Sequence, residues 1–315
     1  MKKLSFITGN REGMALPMVL WAIALLTAIT LLLAGIINAW IGEETRSGKS
    51  FRARQQALSG LALALNPGVQ PGDPLLKHGN KEEGWSVVIG DESGLINPNY
   101  FLTQKPDRRD ILQKLFETWN VAPEDSESAA DGLFDWQSAS PFKSLRGAKK
   151  AEYDAAGRDG FPPGAPFVSP EEMELVIGFG PVMKVKPSWR HYFTTYYSGP
   201  VNLLHAPKDV LTDFLRFSVS QADAWIALRN GKDGIEGTDD DVNPGSVEKV
   251  LAFAGISPSS PQGILDTAAA NIGGAIRRIE STGYCGGVSH RIVVVTGGSS
   301  GDNAQPSVYQ GWSEE

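Results

Sequence analysis

An uninterrupted apolar run dominates the amino-terminal part of the chain. Residues 13–42 contain no charged side chain, whereas residues 1–12 carry three basic side chains and one acidic side chain. As an α-helix, the roughly 28 residues at positions 14–41 would be about 42 Å long, which exceeds the ~30 Å hydrocarbon core of a bilayer. A cleavable secretory signal has an apolar region of only about 7 to 15 residues. The pattern therefore predicts a transmembrane helix.

The polar residues around this helix indicate its orientation and its end. Basic residues tend to stay on the cytoplasmic side, so the rest of the chain is expected on the far side of the membrane. Residues 43–65 contain no proline, and the helix is therefore predicted to continue to residue 66, with Pro67 ending it. The face of this extension that is predicted to be buried is formed by Phe51, Ala57, Leu61 and Leu65.

Strand-like and helix-like patterns alternate along the rest of the chain. The segment "GWSVVIGD" predicts a strand at residues 85–89, followed by a turn rich in Gly, Asn and Pro. Residues 111–119 and 210–217 repeat apolar side chains at helical spacing. A late strand is predicted at residues 292–295, leading into a flexible tail. Together these elements indicate an α+β fold.

The segment "SPEEMELVIGFGPV" predicts a helical hairpin. Ser169 suits the N-cap, Pro170 the first helical position and Glu172 the capping box, while the glycines allow a sharp turn. Such hairpins can bind DNA phosphates, but residues 97–180 contain 9 basic and 14 acidic side chains, a net charge of 9 − 14 = −5. The whole chain carries a net charge of −7. A structural hairpin is therefore favoured, and nucleic acid is not expected as a partner.

The polar leader ends at Glu12-Gly13, directly before the apolar helix. This arrangement resembles the class III signal of type IV pilins and pseudopilins. The resemblance implies that a prepilin peptidase cleaves between Gly13 and Met14 and that the new amino terminus is methylated. Pro17 would then be the fourth residue of the mature chain, where helical N–H groups have no intrahelical acceptor.

The fifth mature position departs from the usual pilin pattern. Most pilins carry glutamate there, whereas this chain has Met18. The resemblance implies that a subunit lacking this carboxylate is ill suited to the interior of a filament, and among pseudopilins its absence is typical of one member. On hydropathy alone, an ordinary single-pass anchor without a filament role remains an alternative.

Further motifs follow the leader in a fixed order. They are "DESGLINPN", "GLFDWQSASPF", "PPGAPFVSPEEMELVIGFG" and "VNLLHAPKDVL". Together they resemble the K-type minor pseudopilin of type II secretion, general secretion pathway protein K, as far as about residue 255. The resemblance implies an α+β fold with a long amino-terminal transmembrane helix, a pilin-like antiparallel sheet and a large inserted helical domain that is helix-hairpin-helix-like or SAM-like. The implied segments are a leader at 1–13, the helix at 14–66, the sheet at 67–97 and 281–315, and the inserted domain at 98–280.

The resemblance also implies a function. A K-type minor pseudopilin is a structural subunit at the pseudopilus tip, which initiates assembly and assists export of folded proteins across the outer membrane. Its implied partners are the I- and J-type minor pseudopilins, the major pseudopilin, the inner-membrane assembly platform and the prepilin peptidase. The implied location is the inner membrane, crossed once, with a cytoplasmic amino terminus and a periplasmic body. A minor pilin-like protein of a related type IV pilus or DNA-uptake system is the alternative.

Two positions depart from the family pattern. Gln137-Ser138 follow Asp135-Trp136 where an Arg-Asp pair is common, and "VNLLHA" replaces the common "VNLNTA". No metal-binding or hydrogen-bonding role is therefore expected at Gln137 or Leu204.

An acidic loop offers the clearest candidate for metal chemistry. The segment "RNGKDGIEGTDDDVNPG" contains Asp233, Glu236, Asp239, Asp240 and Asp241 among glycines. Calcium favours six to eight oxygen ligands on a flexible loop, although the spacing does not match an EF-hand. The resemblance implies bound calcium in the helical domain. A solvated acidic loop remains the alternative.

Catalytic chemistry has little support in the sequence. Cys285 is the only cysteine, so it cannot close an intramolecular disulfide, and none of the four histidines lies in a metal-binding spacing. No nucleophile and base are paired, and the chain is therefore not expected to be an enzyme. A membrane-anchored periplasmic enzyme, with Asp135 or the acidic loop as its acid, remains the alternative.

Overall fold

A long helix leads into the folded part of the chain. The computed structural model describes residues 15–66, 68–256, 267–270, 276–297 and 308–314. Helix α1 runs without interruption over Ala15–Ala64, which confirms the long helix predicted from the sequence. The chain turns directly after it, where the Asn66 side chain accepts a hydrogen bond from the Gly68 N–H at 2.9 Å.

An antiparallel sheet packs against the second half of α1. The strands, in chain order, are β1 (Lys77–Gly79), β2 (Glu83–Asp91), β3 (Val201–Asn202), β4 (Ala268–Ala269), β5 (Ile276–Cys285), β6 (Val288–Gly297) and β7 (Val308–Glu314). The main sheet has the order β1-β2-β5-β6-β7, and every pair in it is antiparallel. Strands β3 and β4 form a separate, short parallel pair. The sheet therefore joins early and late parts of the chain, as predicted.

The last strand corrects one prediction. The segment after β6 was expected to be a flexible tail, but β7 pairs with β6 along the edge of the sheet. The Arg54 side chain of α1 donates two hydrogen bonds of 2.8 Å to the Glu314 carboxylate, which also lies 3.1 Å from His290 Nε2. Strand β5 begins at Ile276, five residues (281 − 276) before the predicted start of the returning sheet segment.

Small residues allow α1 to lie close to the sheet. The buried positions on its second half are Ala53, Ala57, Gly60, Leu61 and Ala64. A Cβ atom at Gly283 of β5 would lie 2.0 Å from the Ala53 carbonyl oxygen, so only glycine fits there. The prediction of a buried Phe51 was wrong, since this side chain is 63% exposed. A large ring would hold the helix and the sheet apart, whereas alanine and glycine permit backbone contact.

The described α-helices other than α1 lie between β2 and β5 in the chain. They are α2 (Pro98–Leu102), α3 (Arg109–Thr118), α4 (Pro123–Gln137), α5 (Lys150–Ala155), α6 (Gly180–Val185), α7 (Val219–Arg229) and α8 (Val247–Phe253). We call the described part of residues 92–270 the cap, and residues 46–64 with the main sheet the stem. The cap follows the end of β2, beside Arg277, which donates to the Val69 carbonyl oxygen just beyond α1 (2.6 Å). It therefore lies at the end of the stem remote from the apolar half of α1.

Two predicted α-helices take other forms. Residues 170–175 form a 3-10 helix, and the Glu172 carboxylate accepts from the Val168 N–H (3.0 Å) and not from the Ser169 N–H of a capping box. Residues 210–214 form one π-helical turn, and Arg216, two residues after it, lies in the left-handed region (φ 64°). The apolar positions predicted at residues 210–217 are buried, including Leu211 and Phe214, and Met173 of the 3-10 helix is buried as well.

The stem and the cap have separate apolar cores. In the stem, Leu61 of α1 packs with side chains of β2, β5 and β6 such as Val87, Ile279 and Val294. The cap core contains many large aromatic side chains, including Trp119, Trp136, Trp189, Trp225, Tyr153, Phe101 and Phe179. The buried residues of the two clusters do not overlap. Polar contacts therefore contribute to the junction between the two parts.

Candidate assembly surface and acidic loop

The first half of α1 is an apolar surface that no other described residue covers. Residues Leu16–Ile36 form a helix long and apolar enough to cross a membrane, and none of this span is buried. The hydroxyl groups of Thr27 and Thr30 donate to the carbonyl oxygens of Ile23 and Leu26 at 2.8 Å. These bonds satisfy polar groups that hydrocarbon could not, which suits a lipid-facing helix.

The predicted processing site precedes this surface. Gly13 and Met14 lie outside the described residues, so cleavage and methylation there stay predictions. Pro17 is the third residue of the described helix and interrupts nothing, because the first N–H groups of a helix lack intrahelical acceptors.

A buried ionic network joins the cap to the stem. Arg278 of β5 donates to Glu92 (2.7 Å), which is only 1% exposed at the start of the cap, and to Glu280 (2.6 Å). Glu280 also binds Arg291 of β6. Burial alone would raise the pKa of Glu280, but the two guanidinium groups hold it below its ordinary value. Glu280 therefore stays charged at neutral pH.

Backbone contacts join the first residues of the cap to its later segments. Ile96 and Phe193 form a parallel bridge, in which the Ile96 N–H donates to the Tyr192 carbonyl oxygen at 2.8 Å. Gly94 lies so close to the loop after β3 that a Cβ atom there would be 2.2 Å from the His205 carbonyl oxygen. The segment that follows β2 is therefore fixed within the cap.

The five predicted calcium ligands do not converge on one point. Asp240 accepts from the Lys232 N–H (2.6 Å) and from the Thr238 hydroxyl (2.8 Å), and Asp241 accepts from the Gly237 N–H (2.7 Å). Asp233 accepts from the Ile235 N–H (2.8 Å), and Asp239 is exposed. Among the described residues, which include this whole loop, no three His, Cys, Asp or Glu side chains are placed to hold a metal ion.

Glu236 has a different environment from the other four carboxylates. Its two oxygens lie 3.2 Å from the Arg229 guanidinium and 2.8 Å from His205 Nδ1. Arg229 is only 5% exposed and donates to the carbonyl oxygens of Leu203 and Ala206 (3.1 and 2.8 Å). Burial lowers the pKa of Arg229, while Glu236 opposes that shift. Glu236 therefore balances a buried charge, a role that the sequence analysis missed.

The acidic loop also touches the connection between α1 and the sheet. A Cβ atom at Gly72 would lie 3.2 Å from the Ile235 side chain, and one at Gly237 would lie 2.7 Å from the Pro71 ring. A cleft of about 320 Å³ lies beside this contact, lined in part by Val88 and Ile235. The loop is thus a second contact between cap and stem.

The "GLFDWQ" motif on α4 is a buried structural centre. Trp136 is stacked between Phe161 and Phe167, with ring centroids 5.4 and 5.7 Å away. Asp135 is fully buried and accepts from both the N–H and the hydroxyl of Ser144 (2.9 and 3.0 Å). Burial raises the pKa of Asp135, and the Ser144 bonds and Lys149 oppose this shift. The sequence analysis marked Asp135 only as a possible acid.

The two positions that depart from the family pattern differ in their surroundings. The amide nitrogen and oxygen of Gln137 are buried and have no hydrogen-bond partner in the described residues. Leu204 packs against the cap core as an apolar side chain. Neither geometry provides a metal ligand set.

Two of the basic residues near the helical hairpin are paired with acidic side chains. Lys186 lies 3.5 Å from Asp213, and Arg190 binds Glu174. These pairs reduce the positive charge that a phosphate backbone would meet.

Comparisons with known proteins identify the fold. No protein-family model and no curated protein matches the chain. Among solved structures, it is similar to a chain in the crystal structure of the GspK-GspI-GspJ complex from the enterotoxigenic Escherichia coli type 2 secretion system. The TM-score is 0.52 at 15% sequence identity, over 88% of this chain and 96% of that chain. The chain therefore has the fold of a GspK-like minor pseudopilin, as its motifs predicted.

Proposed function

We propose that this chain is a K-type minor pseudopilin at the tip of a type II secretion pseudopilus. In this role it initiates pseudopilus assembly and assists export of folded proteins across the outer membrane. The observation that carries the proposal is an apolar helix that is fully exposed over Leu16–Ile36 and continues into a stem with the fold of a GspK-like pseudopilin. A helix of this kind needs a lipid or helical partner, because water solvates it poorly.

The cap supports a position at the tip. It extends beyond the end of the stem that is remote from the apolar half of α1, so a further subunit stacked above it would meet the cap. Met18 stands at the fifth mature position, where most pilins carry glutamate. The lack of this carboxylate also favours a position with no subunit above. In this arrangement the amino terminus is cytoplasmic before assembly and the stem and cap are periplasmic.

The proposed partners follow from the same arrangement. They are the I- and J-type minor pseudopilins, with the major pseudopilin below them, the inner-membrane assembly platform and the prepilin peptidase. The solved neighbour is itself part of a complex named for GspK, GspI and GspJ. The proposed role is structural and not enzymatic, and no nucleic acid is among the partners.

Co-purification with these partners tests the function. The full-length chain, extracted in detergent from cells that contain its neighbouring pseudopilin genes, is expected to elute with the I- and J-type chains. Deleting its gene should leave secreted proteins folded in the periplasm, and the intact gene should restore export. Normal secretion in the deletion strain, combined with loss of surface pili or of DNA uptake, would favour a related type IV pilus.

Calcium binding by residues 233–241 is a separate proposal. Asp240 and Asp241 would have to exchange their present N–H donors for the ion. Calcium is then expected to raise the melting temperature by several degrees over a chelator-treated sample, and Asp240→Asn should abolish the difference. Equal melting temperatures with calcium and with chelator would remove the site.

A further inference from the structure

One edge of strand β2 is only partly covered by β1. Strand β2 has nine residues, and β1 pairs with Gly84, Trp85 and Ser86. Beyond them, residues 87–91 have no strand partner on this edge among the described residues. Five residues of an antiparallel strand are about 17 Å long. A segment of this length is therefore available for pairing with another strand.

The backbone groups of alternate residues in β2 point to this open edge. Near the start of the strand, the Asn80 N–H donates to the Glu83 carbonyl oxygen on the β1 side (3.0 Å). The Gly286 N–H donates to the Glu82 carbonyl oxygen on the β5 side (2.7 Å). Successive residues direct these groups to opposite edges, so the N–H and C=O of Ile89 lie at the open edge. None of the described residues is hydrogen-bonded to the Ile89 backbone there.

The loop that runs beside this edge does not provide a strand. It contains Pro71 and Pro74, which have no N–H to donate. The Asp73 N–H donates to the Gln70 carbonyl oxygen (3.1 Å), and the Leu76 N–H donates to the Asp73 carbonyl oxygen (2.9 Å). The donors of the loop are thus used within its own turns. The cleft of about 320 Å³ lies between this loop and the edge of β2.

The cleft offers apolar surface to the side chains of an added strand. Leu76, Ile89 and Ile235 line it, together with Val88, which is 62% exposed on the outer face of the sheet. An extended peptide that pairs with an edge places alternate side chains in such a cleft, while its main chain satisfies the N–H and C=O groups of the edge. A lipid or a small apolar molecule would leave these backbone groups unpaired.

The charges at the cleft do not favour an ionic ligand. The charged residues that line it are Asp73, Lys77 and Glu236. Asp73 accepts from the Leu75 N–H (2.8 Å), and Glu236 balances the buried Arg229. Main-chain hydrogen bonds and apolar contacts therefore dominate what the cleft can bind.

The edge is protected against strand addition only where β1 covers it. Strand β1 has three residues, all of them exposed, and includes Lys77 and His78. Short edge strands with charged side chains discourage pairing with another chain. Residues 87–90, in contrast, contain no charged side chain and no proline. This part of β2 therefore has the composition of a strand that is paired on both edges.

We propose that residues 87–91 of β2 pair with an extended segment of a neighbouring minor pseudopilin, which adds a strand to the main sheet and places apolar side chains in the cleft. The identity of this partner rests on the function proposed above, because the cleft lies on the stem and other minor pseudopilins are the subunits expected beside it. The geometry of the edge is a property of this chain alone.

Photocrosslinking in cells that contain the neighbouring pseudopilin genes tests the partner. The full-length chain carries a benzophenone amino acid in place of Val88, or in place of the control Val219 on α7, which is 61% exposed. Light is expected to join position 88 to the I- or the J-type chain, and position 219 to neither. An adduct with a second copy of this chain, adducts with lipid only, or no adduct from position 88 would overturn the inference.

Co-purification of the natural chain separates this inference from the proposed function. If the I- and J-type chains elute with it but position 88 gives no adduct with either, the added strand is wrong and the proposed function stands. If neither chain elutes with it, the proposed function fails and the inference fails with it.

Amide hydrogen exchange distinguishes an added strand from a contact of side chains alone. The Ile89 amide points to the open edge and should exchange at least about tenfold more slowly in the purified complex than in the full-length chain alone. The Val88 amide points to β5 and should change little. Equal exchange at Ile89 in the two samples would overturn the added strand even if an adduct had formed.

A charge at the edge should weaken the contact. Val88→Lys is expected to lower the affinity for the crosslinked partner about tenfold, because a lysine on an open edge opposes strand addition. Val219→Lys introduces the same charge at a similarly exposed position and should have no effect. Both variants should keep the melting temperature of the natural chain. Unchanged affinity of Val88→Lys would contradict pairing at this edge.

Discussion

The stem and the cap bury their apolar side chains in different ways. In the stem, alanine and glycine on α1 bring its backbone against β5, and the side chains between helix and sheet are aliphatic. In the cap, short helices and irregular segments surround large aromatic rings, and buried carboxylates such as Asp135 bind the backbone between them. The stem thus depends on close backbone packing, whereas the cap depends on ring packing and on polar side chains. Four substitutions test this comparison, from the largest expected effect to the smallest.

Replacing the central ring of the cap should have the largest effect. Trp136→Ala is expected to lower the free energy of unfolding by about 3–5 kcal/mol, because a fully buried indole stacked between two phenylalanines is lost. Amide hydrogen exchange should accelerate in the cap while β5 and β6 stay protected, since the two cores are separate. The matched control Trp312→Ala removes an indole that is 49% exposed on β7 and should cost less than about 1 kcal/mol. Equal loss of protection in both parts would show a single cooperative unit.

A strand glycine tests close packing in the stem. Gly283→Val should lower the free energy of unfolding by about 3 kcal/mol, since its Cβ would lie 2.0 Å from the Ala53 carbonyl oxygen. Gly90 of β2 has no atom within 4 Å of a Cβ position, so Gly90→Val serves as the control and should change stability by about 0.5 kcal/mol at most. Chemical denaturation in detergent measures both. Similar stability of the two variants would contradict the close contact.

Substitutions in the acidic loop test whether Glu236 contributes more to stability than an exposed carboxylate of the same loop. Glu236→Gln should cost about 2 kcal/mol, because it leaves the buried Arg229 without its counter-charge, although Glu236 itself is partly exposed. Asp239→Asn also removes one negative charge, but from an exposed position, and thermal melting should detect no change. A smaller effect of Glu236→Gln than of Asp239→Asn would disprove the structural role.

The contacts of Glu314 on β7 with Arg54 on α1 and His290 on β6 should give the smallest effect. This effect is expected in the pH dependence of stability. Hydrogen bonds from Arg54 and His290 lower the pKa of Glu314 from 4.5 to about 2. A carboxyl group with a lowered pKa in the folded state stabilises it above its ordinary pKa, and this stabilisation is lost as the pH falls from 4.5 towards 2. Glu314→Gln should therefore flatten the dependence of melting temperature on pH in this range. If the melting temperature of the variant depended on pH as that of the natural protein does, Glu314 would not stabilise the fold through these contacts.

Periodicity accounts for the parts of the fold that the sequence predicts correctly. Strand β2 and helix α3 repeat apolar residues at the spacing of their own secondary structure, and the first half of helix α1 is predicted by an uninterrupted apolar run. The face of α1 was misassigned at Phe51 because hydrophobicity identified large residues, whereas contact with the sheet selects small ones. The pairing of β7 with β6 depends on a partner strand and not on its own pattern.

Most of the contacts that could not be predicted from the sequence depend on how the chain folds and not on local spacing. The charge balance between Arg229 and Glu236 depends on the turn that brings α7 and the acidic loop together, which no spacing rule encodes. The network of Glu92, Arg278 and Glu280 joins residues separated by the whole cap. The "GLFDWQ" motif marked the correct place, but the hydrogen bonds of Asp135 to Ser144 appear only when the loop is folded.

The central claim is that the apolar half of α1 is kept after processing and becomes the part of the subunit that joins the assembly. Sequencing the first residue of the chain purified from membranes tests this most directly. The account predicts a chain that begins at Met14 with a methylated amino group, and an uncut chain when Gly13 is replaced by arginine. A membrane-bound form that begins at Met1, or a soluble form that begins after Gly42, would contradict it.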